Sequence, residues 1–217
     1  MLDASRIATL LDPFVDAPIS AGLLAELRTY LDLLLRWNAR TNLTAVRDPE
    51  QIVTRHFGES LFAARILHDA GAFKTATDEA PTLSDIGSGA GFPGMPIKLL
   101  VPDVQVTLIE SQNKKATFLR EVIRTLQVKD AEVFCGRAEA WYHTARVVTL
   151  RAVESFERTL PTAARLVARG GTLCLLIGAG QIDMARSSLG PHWRFQNPVA
   201  VPLSRERALL MGRGNDI

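Results

Sequence analysis

The run Leu83-Ser84-Asp85-Ile86-Gly87-Ser88-Gly89-Ala90-Gly91-Phe92-Pro93-Gly94 carries an apolar strand into three glycines, each one residue apart. Glycine at a strand end lets the chain turn sharply, and it lets backbone approach a ligand where a Cβ would collide. A helix expected from Met95 presents its N-terminus to the same crevice. Such loops cradle nucleotide-like groups of more than one kind, so the glycines alone do not choose among them.

Spacing narrows the choice. A dinucleotide fingerprint, G-x-G-x-x-G, wants glycine where Phe92 stands; the pattern here is G-x-G-x-G. Asp85 precedes it inside the strand end. Glu110 closes the next strand about twenty residues on, where a carboxylate can accept hydrogen bonds from ribose hydroxyls. Asp85, Gly87, Gly89, Gly91 and Glu110 together fit an S-adenosylmethionine site better than an NAD site. The plainer reading of Glu110 is an exposed strand-end acid.

On either side of this loop the chain changes rhythm. Leu23, Leu24, Leu27, Leu31, Leu34 and Leu35 recur at three- and four-residue steps after Ser20, which predicts a capped helix with a packing face. Asn42-Leu43-Thr44 and Asp48-Pro49 read as loop, and a second helix is expected from Pro49 through His56, Leu61 and Ile66. From Pro81 strands alternate with helices. Strands are expected at Leu83–Ile86, Val104–Ile109, Glu132–Cys135, Val147–Leu150 and Gly171–Ile177, with others near 197–202 and 207–211. Helices are expected at Met95–Leu100, Asn113–Leu126, Ser155–Ala168 and Gln181–Ser188. The fold class is therefore α/β: a Rossmann-like, doubly wound, mostly parallel sheet with an N-terminal helical extension. The expected division is an extension over 1–80 and a catalytic domain over 81–217, with Thr75–Pro81 as the linker.

Composition sets outer bounds. At 217 residues, 47% hydrophobic and 22% charged, the chain holds one α/β domain with a modest extension. Cys135 and Cys174 lie in apolar, strand-like runs without ligand spacing, and free thiols are expected, with no metal. The N-terminus lacks a signal-peptide pattern and no apolar run approaches a membrane span, which predicts a cytoplasmic protein that needs no membrane. Residues 1–80 hold 8 Lys and Arg against 11 Asp and Glu, a net of −3, while the remainder holds 17 against 12, a net of +5. The surplus falls on the half with the glycine loop; a polyanionic partner explains it, and so does ordinary surface variation. Arg137 and Arg151, at the ends of the third and fourth strands, are expected to converge on the crevice and favour an anionic substrate.

These residues resemble the bacterial small-subunit ribosomal RNA guanine-N7 methyltransferase family, also called glucose-inhibited division protein B. The resemblance runs through Asn42–Asp48, Arg55–Leu61, Asp85–Gly94, Glu110-Ser111 with Lys114, Lys115, Phe118 and Leu119, Arg137-Ala138-Glu139, Arg151-Ala152 and Glu206-Arg207. It implies S-adenosylmethionine as cofactor and methyl transfer to N7 of a guanosine (position 527) in 16S ribosomal RNA. It further implies that Gly87 and Phe92 line the cofactor loop, that Ala138 and Glu139 approach the adenine, that Arg151 contacts the cofactor side, and that Arg137 serves RNA or catalysis. The partner is the RNA or the small ribosomal subunit, and a monomer is expected. Two departures stand out: Glu59 replaces the family's usual Asp, and Ile177-Gly178 replaces a frequent Lys-Gly.

Guanine N7 already carries a lone pair, so no general base is needed, and none is expected here. A small-molecule methyltransferase on the same fold is the alternative enzyme; it would depend little on Arg137. A ribosome-binding factor on a vestigial fold is the alternative outside catalysis, against which the intact Asp85, Gly87, Gly89 and Glu110 speak. An NAD dehydrogenase ranks last because of Phe92.

Overall fold

A computed structural model describes residues 2–75, 79–151 and 155–214; Ala76, Thr77 and Asp78 of the expected linker, and Ala152, lie outside the described residues. Four helices come first: α1 (Ala4–Leu11), α2 (Ala21–Thr41), α3 (Pro49–Ile52) and α4 (Glu59–Asp69). α2 starts where the sequence puts it, with the Ser20 hydroxyl accepting from the Leu23 amide and so satisfying a donor that a helix start leaves unpaired. α1 escapes a periodicity reading because its eight residues bury only Ile7 and Leu11. The helix expected from Pro49 onward is present but widened: Val53–Gly58 form a π turn between α3 and α4. There Gly58 lies against Phe14, whose ring would stand 2.6 Å from a Cβ.

The sheet comprises β1 (Thr82–Ile86), β2 (Gln105–Glu110), β3 (Ala131–Cys135), β4 (Ala145–Arg151), β5 (Val167–Gly178), β6 (Trp193–Phe195), β7 (Val199–Ala200) and β8 (Arg207–Gly214). The first five pair in parallel in the order β3-β2-β1-β4-β5. β8 runs antiparallel to β5, and β6 and β7 pair with β8 in turn. The Rossmann-like, mostly parallel sheet and its N-terminal helices are as expected. Strand order reverses between β1 and β4, and ligands of open α/β sheets bind outside the strand C-termini at such a point.

Helices α5 (Gly94–Leu100), α6 (Asn113–Leu126), α7 (Phe156–Arg165) and α8 (Ile182–Leu189) complete the fold. Tyr30, Leu34, Phe57 and Leu61 of the N-terminal segment share one core with Phe92, Met95, Leu108 and Phe118. On the opposite face Ile86, Ile109 and Leu150 pack with Leu160 of α7 and Ala185 of α8. The first helices are thus part of a covering layer and not a tail. α7 ends three residues before the expected Ala168 because β5 begins at Val167, opposite Ala145. The register then shifts, and Gly171 fits there because a Cβ would stand 2.7 Å from the carbonyl oxygens of Ala168 and Arg146. Both cysteines are free; Cys174 is buried, and burial pushes its thiol up to about 12. Among the described residues no helix is long and apolar enough to cross a membrane.

Candidate active site

β1 delivers the chain into the loop, and Gly87, Gly89 and Gly91 all take positive φ, at 65°, 58° and 91°. That region costs a residue with a Cβ about 1–2 kcal/mol. Gly91 carries a second constraint, since its Cβ would stand 2.1 Å from the Tyr30 hydroxyl oxygen. Tyr30, reaching in from α2, donates that hydroxyl to the Ala90 carbonyl. The N-terminal layer therefore pins the loop directly.

Glu110 ends β2 facing the same loop. Its Oε2 accepts the Gly89 amide at 2.9 Å and its Oε1 the Gln112 amide at 2.7 Å. A carboxylate oxygen has two acceptor positions, so each oxygen keeps one beyond these bonds. Asp85 behaves differently. It is fully buried; Oδ1 accepts from the Thr149 hydroxyl at 2.7 Å and Oδ2 from the Gly94 amide at 3.1 Å. Burial raises its pKa to about 6, against the opposing effect of those hydrogen bonds. Asp85 ties both ends of the glycine loop to β4, and it is not among the residues that line the crevice.

The crevice, about 430 Å³, opens at the C-terminal ends of β1, β2 and β3. Gly87, Glu110, Arg137, Ala138 and Glu139 meet on its wall, together with Lys115. Gly89 stands behind them, holding Glu110. Sequence reasoning missed Ser155, Arg158 and Thr159, which line the crevice from the start of α7. The Arg158 guanidinium donates to the Ser155 hydroxyl at 2.7 Å. Their signal was weak: Ser155 marks a helix start, but spacing does not say which strand end that start overlooks.

Arg151 is placed elsewhere. β3 and β4 are separated by β2 and β1, so their ends lie three strand spacings apart, about 14 Å. The expected convergence of Arg137 and Arg151 on one crevice wall is not what the fold makes. Arg151 Nη2 instead donates to the Arg55 carbonyl at 2.6 Å and to His56 Nδ1 at 3.1 Å, and pairs with Glu59 Oε2 at 3.2 Å. Because Nδ1 accepts, the neutral ring carries its proton on Nε2, which donates to the Thr44 hydroxyl at 2.8 Å. Burial, with Arg151 and Arg55 nearby, lowers the His56 pKa to about 3. The same ring stacks on Phe92 at 4.9 Å, and Tyr30 stacks on Phe92 at 5.5 Å. Phe92 is therefore a packing centre beside the loop and is not on the crevice wall.

Glu59 joins two arginines: its second oxygen lies 2.7 Å from Arg207 Nη2. Burial raises the Glu59 pKa, while Arg151 and Arg207 oppose the rise. Arg207 Nε is buried without a hydrogen-bond partner among the described residues. The cluster thus sets two guanidinium groups against one carboxylate, next to the loop. Thr44, Arg55–Glu59, Phe92, Arg151 and Arg207, far apart in sequence, meet here. Ile177, where the resemblance led to the expectation of a lysine, is buried in the α7 and α8 core. Among the described residues no group of three His, Cys, Asp or Glu could hold a metal ion.

Residues 23–188 match the GidB family, described as rRNA small subunit methyltransferase G. The chain belongs to this family. The ribosomal RNA small subunit methyltransferase G of Stenotrophomonas maltophilia (strain K279a) is 36% identical over 217 residues, covering 98% of this chain and 97% of that protein. The enzyme of the same name from Xylella fastidiosa (strain 9a5c) is also 36% identical, covering 94% and 97%. This member of the GidB family is accordingly a methyltransferase. Among solved structures, P. horikoshii TYW2 in complex with MeSAdo overlays with a TM-score of 0.56 at 13% identity, over 73% of this chain and 62% of that one. A mutant of MtNAS gives 0.57 at 15%, over 98% and 82%. At such identities the likeness is one of fold, and the family rests on the sequence match.

Proposed function

We propose that the crevice binds S-adenosylmethionine and that the protein transfers its methyl group to N7 of a guanosine, position 527 of 16S ribosomal RNA. The observation that carries the cofactor assignment is Glu110, buried at the end of β2, fixed by the Gly89 and Gln112 amides and retaining an acceptor position on each oxygen. A ribose diol asks for such an acceptor pair. The crevice volume of about 430 Å³ lies within the range of small-molecule sites. Gly87 would hold the methionine side, with Gly89 serving the site by fixing Glu110; Ala138 and Glu139 would hold the adenine. Bound S-adenosylmethionine supplies an electrophilic methyl group on a sulfonium.

No side chain needs to remove a proton before attack, because guanine N7 has its own lone pair. The residues agree with that economy. Both His56 nitrogens are engaged and the ring stays neutral at physiological pH; Asp85 is walled in by Thr149 and Gly94. The chain's task is alignment, an effect that can supply about 7–11 kcal/mol. Arg137, Lys115 and Arg158 on the crevice wall are suited to hold RNA phosphates. Arg151, held by Glu59 and His56, positions the strand end beside the loop. Since the major groove of helical RNA is narrow, the target must lie in an accessible loop. The reading carries with it a monomeric, cytoplasmic enzyme acting on 16S ribosomal RNA or the small subunit.

Calorimetry tests the cofactor half. S-adenosylmethionine should bind the wild type, and Glu110→Ala should weaken binding by roughly 10-fold or more, the scale of a lost charged hydrogen bond. Absence of binding to the wild type would favour a vestigial fold. Arg137→Ala should impair methylation of RNA; full activity of that variant would favour a small-molecule substrate.

A further inference from the structure

A second groove, of about 590 Å³, lies on the sheet face away from α5 and α6, toward the N-terminal ends of β1, β2 and β3. Its origin is topological. Strands β3 and β4 are joined through residues 136–144, which contain a single 3-10 turn at Ala138–Ala140 and no α-helix. This part of the sheet therefore lacks the crossover helix that covers a parallel strand pair. The floor is polar: the exposed Glu132 and half-buried Thr107 stand in register with the buried Ser84 across three strands, and the Thr107 hydroxyl donates to Glu132 at 2.9 Å. A buried parallel sheet would place Val, Ile or Leu there.

One loop separates this groove from the cofactor crevice. Residues 136–139 line the crevice, while Trp141, His143 and Thr144 line the groove. The two sides carry opposite charge. The crevice wall has Lys115, Arg137 and Arg158 against Glu110 and Glu139; the groove has Asp130 and Glu132 and, among the described residues that line it, no lysine or arginine. Its wall is aromatic: Trp141 packs against His143 at 4.9 Å, and Tyr142 between them is 80% exposed. The Trp141 indole N–H is buried without a hydrogen-bond partner among the described residues. The Arg165 guanidinium donates to the carbonyls of Glu139 and Trp141, fixing the loop from behind.

We propose that this groove docks a lysine- or arginine-bearing segment of a protein carried by the small ribosomal subunit, while the opposite side of the same loop faces the RNA. Carboxylates with an adjoining aromatic face suit a guanidinium or ammonium group, and they repel phosphate. An extended segment laid on the polar floor also finds side-chain hydroxyls for its backbone. The proposal rests on the ribosomal RNA reading above and deepens it: the assembled subunit, with its proteins, is the recognised form.

The test is binding, with the whole chain, to small subunits and to protein-free 16S ribosomal RNA. The wild type should bind subunits more tightly. Asp130→Lys combined with Glu132→Lys should weaken subunit binding by about 10-fold or more, the effect of opposing two charge pairs, and leave protein-free RNA bound as before or more tightly. S-adenosylmethionine calorimetry on the variant verifies its fold. Should the double variant misfold, Glu132→Gln carries the test, with about a 3-fold loss on subunits alone. An unchanged subunit affinity, an equal change on both ligands, or a wild type that does not prefer subunits would overturn the proposal. Tighter binding of both by the reversed variant would overturn it too, marking the groove as an RNA surface. Failure of the underlying reading shows separately, as an absence of methyl transfer to either substrate.

Discussion

Gly89 and Gly91 have the same backbone requirement but different surroundings, and a pair of alanine substitutions separates the two effects. Gly89→Ala meets nothing nearer than the Gly87 carbonyl at 3.8 Å and should cost about 1–2 kcal/mol of stability for its left-handed backbone. Gly91→Ala must in addition displace the Tyr30 hydroxyl, so urea unfolding should show a clearly larger loss; equal losses would contradict the packing argument. His56 offers a pH test. Its pKa is about 3 in the folded protein against 6.5 ordinarily, so between those values the unfolded chain takes a proton that the folded chain refuses. Stability of the wild type should therefore fall relative to His56→Gln as pH drops below about 6.5, by at most ~1.4 kcal/mol per pH unit. Asp85, raised to about 6 from 3.8, works in the opposite direction, adding stability as pH falls through that window. It is common to both proteins and cancels in the difference. The glycines were readable in the sequence because positive φ selects glycine at each position. Glu110 was readable because strand spacing fixes its place. The meeting of His56, Glu59, Arg151 and Arg207 was not, since it depends on how α4 and β8 are brought against the end of β4.

At the scale of elements, α2 does more than cover the sheet. Its leucine face was legible from periodicity, and so was the Ser20 cap. Tyr30 was not among the residues of that expected face, and periodicity does not say that a side chain of α2 reaches a carbonyl sixty residues on. Tyr30→Phe should cost about 1 kcal/mol by thermal or urea unfolding and weaken S-adenosylmethionine binding several-fold, because the loop loses its pin; unchanged cofactor affinity would reduce α2 to packing alone. The π turn at Val53–Gly58 presents the Arg55 carbonyl and the His56 ring to Arg151. π turns occur inside α-helices, frequently at functional sites, yet a periodicity of 3.6 cannot announce one. The helix missing between β3 and β4 could be read from the few residues available there, whereas the polar groove it leaves needed the strand register.

For the whole molecule, the N-terminal layer, the glycine loop and the strand ends form one device, and three of the C-terminal part's basic residues, Lys115, Arg137 and Arg158, stand on the crevice wall. RNA affinity should fall with rising salt, and Arg137→Ala should reduce the slope of log affinity against log salt by about one. A slope unaffected by that substitution would remove Arg137 from the RNA contacts. The order of the parallel strands and their helices was legible because alternating strand and helix patterns leave few topologies, while the substrate came from the family motifs and not from the fold. The central claim is tested most directly by tritiated methyl transfer from S-adenosylmethionine to undermethylated small subunits and 16S ribosomal RNA, at low and moderate salt, with the product mapped by N7-specific chain cleavage. The account predicts incorporation at N7 of guanosine 527, strongly reduced in Glu110→Ala and Arg137→Ala. No incorporation at either salt, or a methyl group on another atom or nucleotide, would contradict it.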